Sequence, residues 1–97
     1  MAGTDVIDGA TSATSATHTA TTEKQNIQVE GLGATGFTGD QPRVVISVDT
    51  SGGSDYSHVQ TIYEDSAEVF HVKTGGVLNI ELKDPTASTN CTVNVLE

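Results

Sequence analysis

Tryptophan is absent from this 97-residue chain, and two Tyr and two Phe make up its whole aromatic complement. A core assembled around large rings is thereby excluded, and Val, Ile and Leu must supply most of the buried surface. Cysteine occurs once, at Cys91, so no internal disulfide can form. Its position in an apolar row makes it a small buried thiol rather than a nucleophile. Basic residues number four against thirteen acidic ones, a formal net charge of −9. That balance excludes nucleic acid and anionic membranes as direct partners, and the four cations, Lys24, Arg43, Lys73 and Lys83, are too scattered to reverse it locally. No apolar run approaches the roughly 20 residues of a membrane span. The opening Met1-Ala2-Gly3-Thr4-Asp5 lacks the basic and apolar regions of a signal peptide, so neither membrane insertion nor self-directed export is expected. Helical periodicity is missing too, since no long window places apolar residues at i, i+3, i+4 and i+7.

What is present is alternation. Leu78, Ile80 and Leu82 fall on one face of an extended segment and Asn79, Glu81 and Lys83 on the other; Cys91, Val93 and Val95 alternate in the same way with Thr92 and Asn94. The stretch from Val69 to Leu96 therefore reads as a closing hairpin with two matched apolar rows. Upstream, Lys24 to Leu32, Arg43 to Asp49 and Tyr56 to Tyr63 read as strands. Val45 marks the second of these as centrally placed, and the blurred alternation of the third suits an edge. Val59 and Ile62 are both counted among its inward residues. Glu64 to Glu68 is a charged connection. The expected fold is all-β, an antiparallel sandwich or small barrel of six or seven strands over residues 23–97.

Residues 1–22 stand apart. Ala10-Thr11-Ser12, Ala13-Thr14-Ser15 and Ala16-Thr17-His18 form a near repeat with little apolar surface, read as an extended amino-terminal arm. Threonine tolerates extended backbone, so the arm can also lie on the domain or on a neighbouring subunit as an added strand.

Chemistry-bearing patterns are few. Gly31-x-Gly33-x-x-Gly36 has the spacing of a dinucleotide fingerprint, but Pro42 and a strand follow where a helix is required. His58 and His71 sit in successive strands and could be cross-strand neighbours near Asp55, Glu64, Asp65 and Glu68, yet no ligand-spacing motif accompanies them. Asp49 to Asp55 departs from the calcium-loop pattern. Asn90-Cys91-Thr92 fits the glycosylation acceptor pattern, which has no force without export. Glu64 and Asp65 are adjacent and face apart, so they make no acid–base pair. No catalytic residue, metal site or cofactor is assigned, and the chain is not expected to be an enzyme.

Function is then expected in surfaces. Thr14, Thr17, Thr19 and Thr21 of the arm, with Phe37, Tyr56 and Tyr63, are the candidate assembly residues. In layout, a Thr-rich arm followed by a sandwich ending in the Thr74 to Leu96 hairpin, the chain resembles small β-rich virion proteins of tailed viruses, the capsid-decoration, turret and tail components. Its acidic, lysine-poor surface resembles proteins of salt-loving microbes. The resemblance implies trimeric or pentameric clustering on the surface of a larger protein shell, with no catalytic residues. Two alternatives come from other classes. One is an Ig-like or carbohydrate-binding sandwich contacting ligand through Gly31 to Asp40 and Asp49 to Asp55, a reading weakened by the few aromatic platforms. The other is an archaeal cell-surface or filament subunit.

Overall fold

A computed structural model describes residues 3–33, 41–51 and 55–97. Eight strands follow one another: β1 Thr4–Ala10, β2 Thr14–Thr19, β3 Lys24–Glu30, β4 Arg43–Asp49, β5 Ser57–Ile62, β6 Ser66–His71, β7 Val77–Lys83 and β8 Cys91–Leu96. They form two four-stranded antiparallel sheets, ordered β1-β8-β3-β6 and β2-β7-β4-β5. Each strand of the first half pairs with its mirror image in the second: β1 with β8, β2 with β7, β3 with β6, β4 with β5. Folding that long antiparallel ribbon over on itself adds the β3–β8 and β4–β7 pairings. The result is the strand order of a jelly roll, two Greek keys packed face to face. No described helix is long and apolar enough to cross a membrane.

Two sequence expectations need correction here. There are eight strands rather than six or seven, because residues 4–10 and 14–19 are not a separate arm: they are edge strands, one in each sheet. The inward side of β2 carries only Ala16 and His18, with Ala20 just beyond, and that suffices because β1 and β2 converge across the sandwich. Among the described residues no other strands of opposite sheets approach as closely. At that flank β2 and the residue after it add only small apolar side chains, Ala16 and Ala20, to the core that Ile7 of β1 enters.

The second correction concerns β7 and β8, which are not a hairpin. They lie in opposite sheets, so their apolar rows meet across the core. Side-by-side pairing would have put both rows on one side of one sheet and left them needing another layer. Leu78, Ile80 and Leu82 on β7 and Cys91, Val93 and Val95 on β8 are all at most 2% exposed. Ile7, Ala20, Ile27, Val29, Leu32, Val44, Ile46, Ile62 and Val72 complete the same cluster.

The blurred pattern of β5 has a local cause. Ile46 pairs with Gln60 but Ser47 with His58, so Val59 is an extra residue in a β-bulge. It is 42% exposed rather than inward. β5 is an edge strand and β4 a central one, as the alternation suggested. The charged connection is shorter than expected, because β6 already begins at Ser66.

Polar groups close the ends of the roll. The Glu97 carboxylate, beyond β8, accepts hydrogen bonds from the Thr21 amide (2.7 Å) and hydroxyl (2.8 Å), the Thr22 amide (3.2 Å) and the Gln25 side-chain amide (2.7 Å). His18 Nε2 lies 3.5 Å from the same group. The bond from Gln25, assisted by those from Thr21 and Thr22, lowers the Glu97 pKa from 4.5 to about 2 against the opposing effect of desolvation. A carboxyl whose folded pKa is depressed contributes stability above its unfolded pKa and loses it as pH falls through the folded value. Glu97→Gln is therefore expected to lower unfolding stability by about 1–2 kcal/mol at neutral pH. The difference from wild type should shrink between pH 4.5 and about 2, as read by urea unfolding across that range.

Candidate functional site at the sheet edges

A jelly roll leaves four edge strands, and here they are β1 and β6 in one sheet and β2 and β5 in the other. An edge exposes backbone donors and acceptors that can pair with another chain, and proteins normally blunt it with a bulge, a charge, a proline or an inward-pointing ionic group. Three of the four carry such a device. β1 has register irregularities between Asp5 and Ile7 and between Ile7 and Ala10, with Gly9 at φ +62° and exposed Asp5 and Asp8. β5 has the Val59 bulge. On β6, Ser66, Glu68 and Phe70 are the half-buried row, so a carboxylate leans toward the interior.

β2 has no bulge, no proline and no Asp, Glu, Lys or Arg; its one titratable side chain, His18, turns inward to lie 3.5 Å from Glu97. Its six residues, Thr14 to Thr19, pair one for one with Leu82 to Val77 without a break in register. From Gly9 to Thr22 the chain has no Asp, Glu, Lys, Arg or Pro, the longest run without a charge in the sequence. Thr14, Ser15, Thr17 and Thr19 are exposed. The direction of the backbone groups follows from the strand end. The Ala20 amide donates to the Gly76 carbonyl (2.9 Å) and the Ala20 carbonyl accepts from Gly75 (2.9 Å), so Ala20 faces β7. Strand alternation then turns His18, Ala16 and Thr14 toward β7 and leaves the amides and carbonyls of Thr19, Thr17 and Ser15 pointing outward.

The candidate residues are thus divided. Thr14, Thr17 and Thr19 share the β2 edge. Thr21 is exposed, but its amide and hydroxyl are committed to Glu97. Tyr56 and Tyr63 bracket β5 at the other side of the same sheet, half-buried, and the Tyr63 carbonyl accepts from the Gln41 side chain (3.1 Å). Phe37 lies outside the described residues. Val59 (42%) on β5 and Val69 (53%) on β6 are exposed, and a concavity of about 160 Å³ on these two strands is bordered by Gln60, Ile62, Glu64 and Glu68.

The ion readings fall only in part on described residues, since 52–54 of the Asp49 to Asp55 turn lie outside them. His58 and His71 lie in different sheets, opposite Ser47 and Lys24, so they are not cross-strand neighbours. Among the described residues no three His, Cys, Asp or Glu converge as a metal-binding group. Asp49 is 5% exposed and turns its carboxylate onto its own loop, accepting from the Ser51 amide (2.8 Å) and hydroxyl (2.5 Å) and from the Asp55 amide (2.8 Å). At the start of the glycine pattern, whose Gly36 lies outside the described residues, the amides of Gly31 and Leu32 each donate to the Asp65 carboxylate at 3.0 Å. The Cys91 thiol is pushed up to about 11, by burial first and then by the nearby Asp65 charge, so it stays protonated and unreactive.

One polar surface was not legible in the sequence. On the outer face of the first sheet, Asp5, Gln28, Glu30, Thr92 and Asn94 line a shallow depression of about 380 Å³. The Asn94 amide donates to Asp5 at 2.8 Å. These residues come from β1, β3 and β8, and only the sheet order brings them together. The chain matches no protein-family model, no curated protein and no solved structure.

Proposed function

We propose that this protein is a structural component of a virion, a capsid-decoration, turret or tail protein that acts by assembling with copies of itself and with a larger protein shell. The observation that carries the reading is the rolled mirror-pair topology, an architecture used by viral capsid proteins among others. Fold alone does not fix function. Support of a different kind comes from the surface, where an unblunted edge and exposed valines offer contacts. The excess of carboxylates keeps such a protein soluble at high concentration and in concentrated salt.

Sedimentation in low and high salt tests the reading. A defined oligomer is expected, growing in population as salt screens the net charge. A chain that stays monomeric at every concentration and salt overturns self-assembly. Deleting residues 1–22 is not an informative control, because it removes an edge strand from each sheet.

The polar depression on the first sheet favours a second reading, a carbohydrate-binding sandwich. Its carboxylate, amide and hydroxyl groups match the hydroxyls of a sugar, and lectins share the jelly-roll architecture. Binding on a glycan panel that is lost in Gln28→Ala and Asn94→Ala would establish it; no binding would remove it.

A further inference from the structure

We infer that β2 is the self-association edge, and that two copies join through antiparallel β2–β2 pairing about a two-fold axis passing beside Thr17. The inference rests on the assembly reading above and gives it a two-fold contact, in place of the trimeric or pentameric clustering that the resemblance implies. Two conditions define the geometry. The pairing must keep inner faces together and outer faces together, so residues opposite each other share the same parity in sequence. The outward backbone groups belong to Ser15, Thr17 and Thr19, fixed by the Ala20 bonds to the β6–β7 turn. The register that satisfies both sets Thr17 opposite Thr17 of the second copy, and Ser15 opposite Thr19. Every free amide and carbonyl of the strand is then used, and the hydroxyl side chains form cross-strand Thr–Thr and Ser–Thr pairs. The two four-stranded sheets become one continuous sheet of eight.

Charge selects the occupant. With thirteen acidic and four basic residues, most faces of this protein repel their own copies, and β2 lies within the longest charge-free run. A neutral, hydroxyl-lined edge is complementary to itself. A two-fold contact also requires that one patch serve both partners, which a regular six-residue strand does and a bulged one does not. Asp5 and Asp8 of β1 lie on the same flank, so the dimer should tighten as salt rises. A six-residue strand pairing falls short of the roughly 1,000 Å² of a stable interface. The dimer is therefore weak alone and gains strength when many copies are held together on one surface.

The test is sedimentation equilibrium of the full chain from about 1 µM to about 1 mM, in low and high salt, on wild type and three variants. Thr17→Pro removes an outward amide without removing a β2–β7 bond, and proline is tolerated on an edge facing solvent. It should weaken the dimer at least about tenfold. Thr17→Lys should do the same by placing like charges on the axis, and serves if the proline variant proves unfolded by circular dichroism. Thr17→Val keeps the backbone groups and should still dimerise. Dimer loss in Pro and Lys but not Val supports the inference. An oligomer unchanged in Thr17→Pro or Thr17→Lys overturns the β2 assignment while leaving assembly intact, and a wild type monomeric throughout overturns both.

Discussion

Gly31→Ala should leave little of the folded state, with a loss of about 4 kcal/mol or more against a total of roughly 5–15 kcal/mol for a domain of this length. Two causes act together. The residue sits at φ +76°, where a side chain is strained, and an added Cβ would lie 2.0 Å from the Asn90 carbonyl oxygen, a backbone atom with no rotamer to yield. Moving either backbone breaks a junction of four hydrogen bonds. The Gly31 and Leu32 amides donate to Asp65, the Asn90 amide donates to the Gly31 carbonyl (2.9 Å), and the buried Thr89 hydroxyl donates to the Leu32 carbonyl (2.8 Å). Gly75 provides the control. Its φ is +91°, yet nothing stands within 4 Å of an added Cβ, so Gly75→Ala should cost only about 1–2 kcal/mol. Urea unfolding followed by circular dichroism reads both, and equal losses would mean that the close approach at Asn90 does not matter.

Ile80→Ala should cost about 3–4 kcal/mol. Ile80 is 0% exposed in the middle of β7, between Ile46 on β4 and Ala16 on β2. Truncation leaves a void that three strands cannot collapse around without losing register. Because the core contains no tryptophan and Phe70 is only partly buried against it, no large ring is available to swing into the gap. Val69→Ala removes a side chain that is 53% exposed and should stay within about 0.5 kcal/mol of wild type. A small loss at Ile80 would indicate a looser interior than the burial implies.

The strands that alternate large apolar and polar residues were legible in the sequence. Arg43–Asp49, Val77–Lys83 and Cys91–Leu96 have the bounds that their patterns dictate, because Val, Ile and Leu at every second position have only one way to be buried together. Thr4–Ala10 and Thr14–Thr19 were not, since β1 turns a single large apolar residue, Ile7, into the core, and β2 turns in only Ala16 and His18, where the repeat of three conceals a period of two. The sheet assignment of β7 and β8 was equally hidden, because facing rows and neighbouring rows look alike in one dimension. Of the candidate assembly residues, the threonines of β2 were chosen for their extended preference. What distinguishes them is a comparison among four edges that only the topology supplies. The depression formed by Asp5, Gln28, Glu30, Thr92 and Asn94 depends on strand order in the same way.

The mirror-image pairing also dictates a folding history. β4 and β5 are joined by a short loop, whereas β3 must find β6, β2 must find β7, and β1 must find β8 across nearly the whole length of the chain. Each successive zipping closes a larger ring of polypeptide, so the molecule should fold slowly, on the order of milliseconds to seconds, from its middle outward. Stopped-flow refolding faster than that would contradict the sequence of events. On a ribosome the first strand synthesised must wait for the last, and throughout that wait its partner-seeking backbone is open to any other nascent copy nearby.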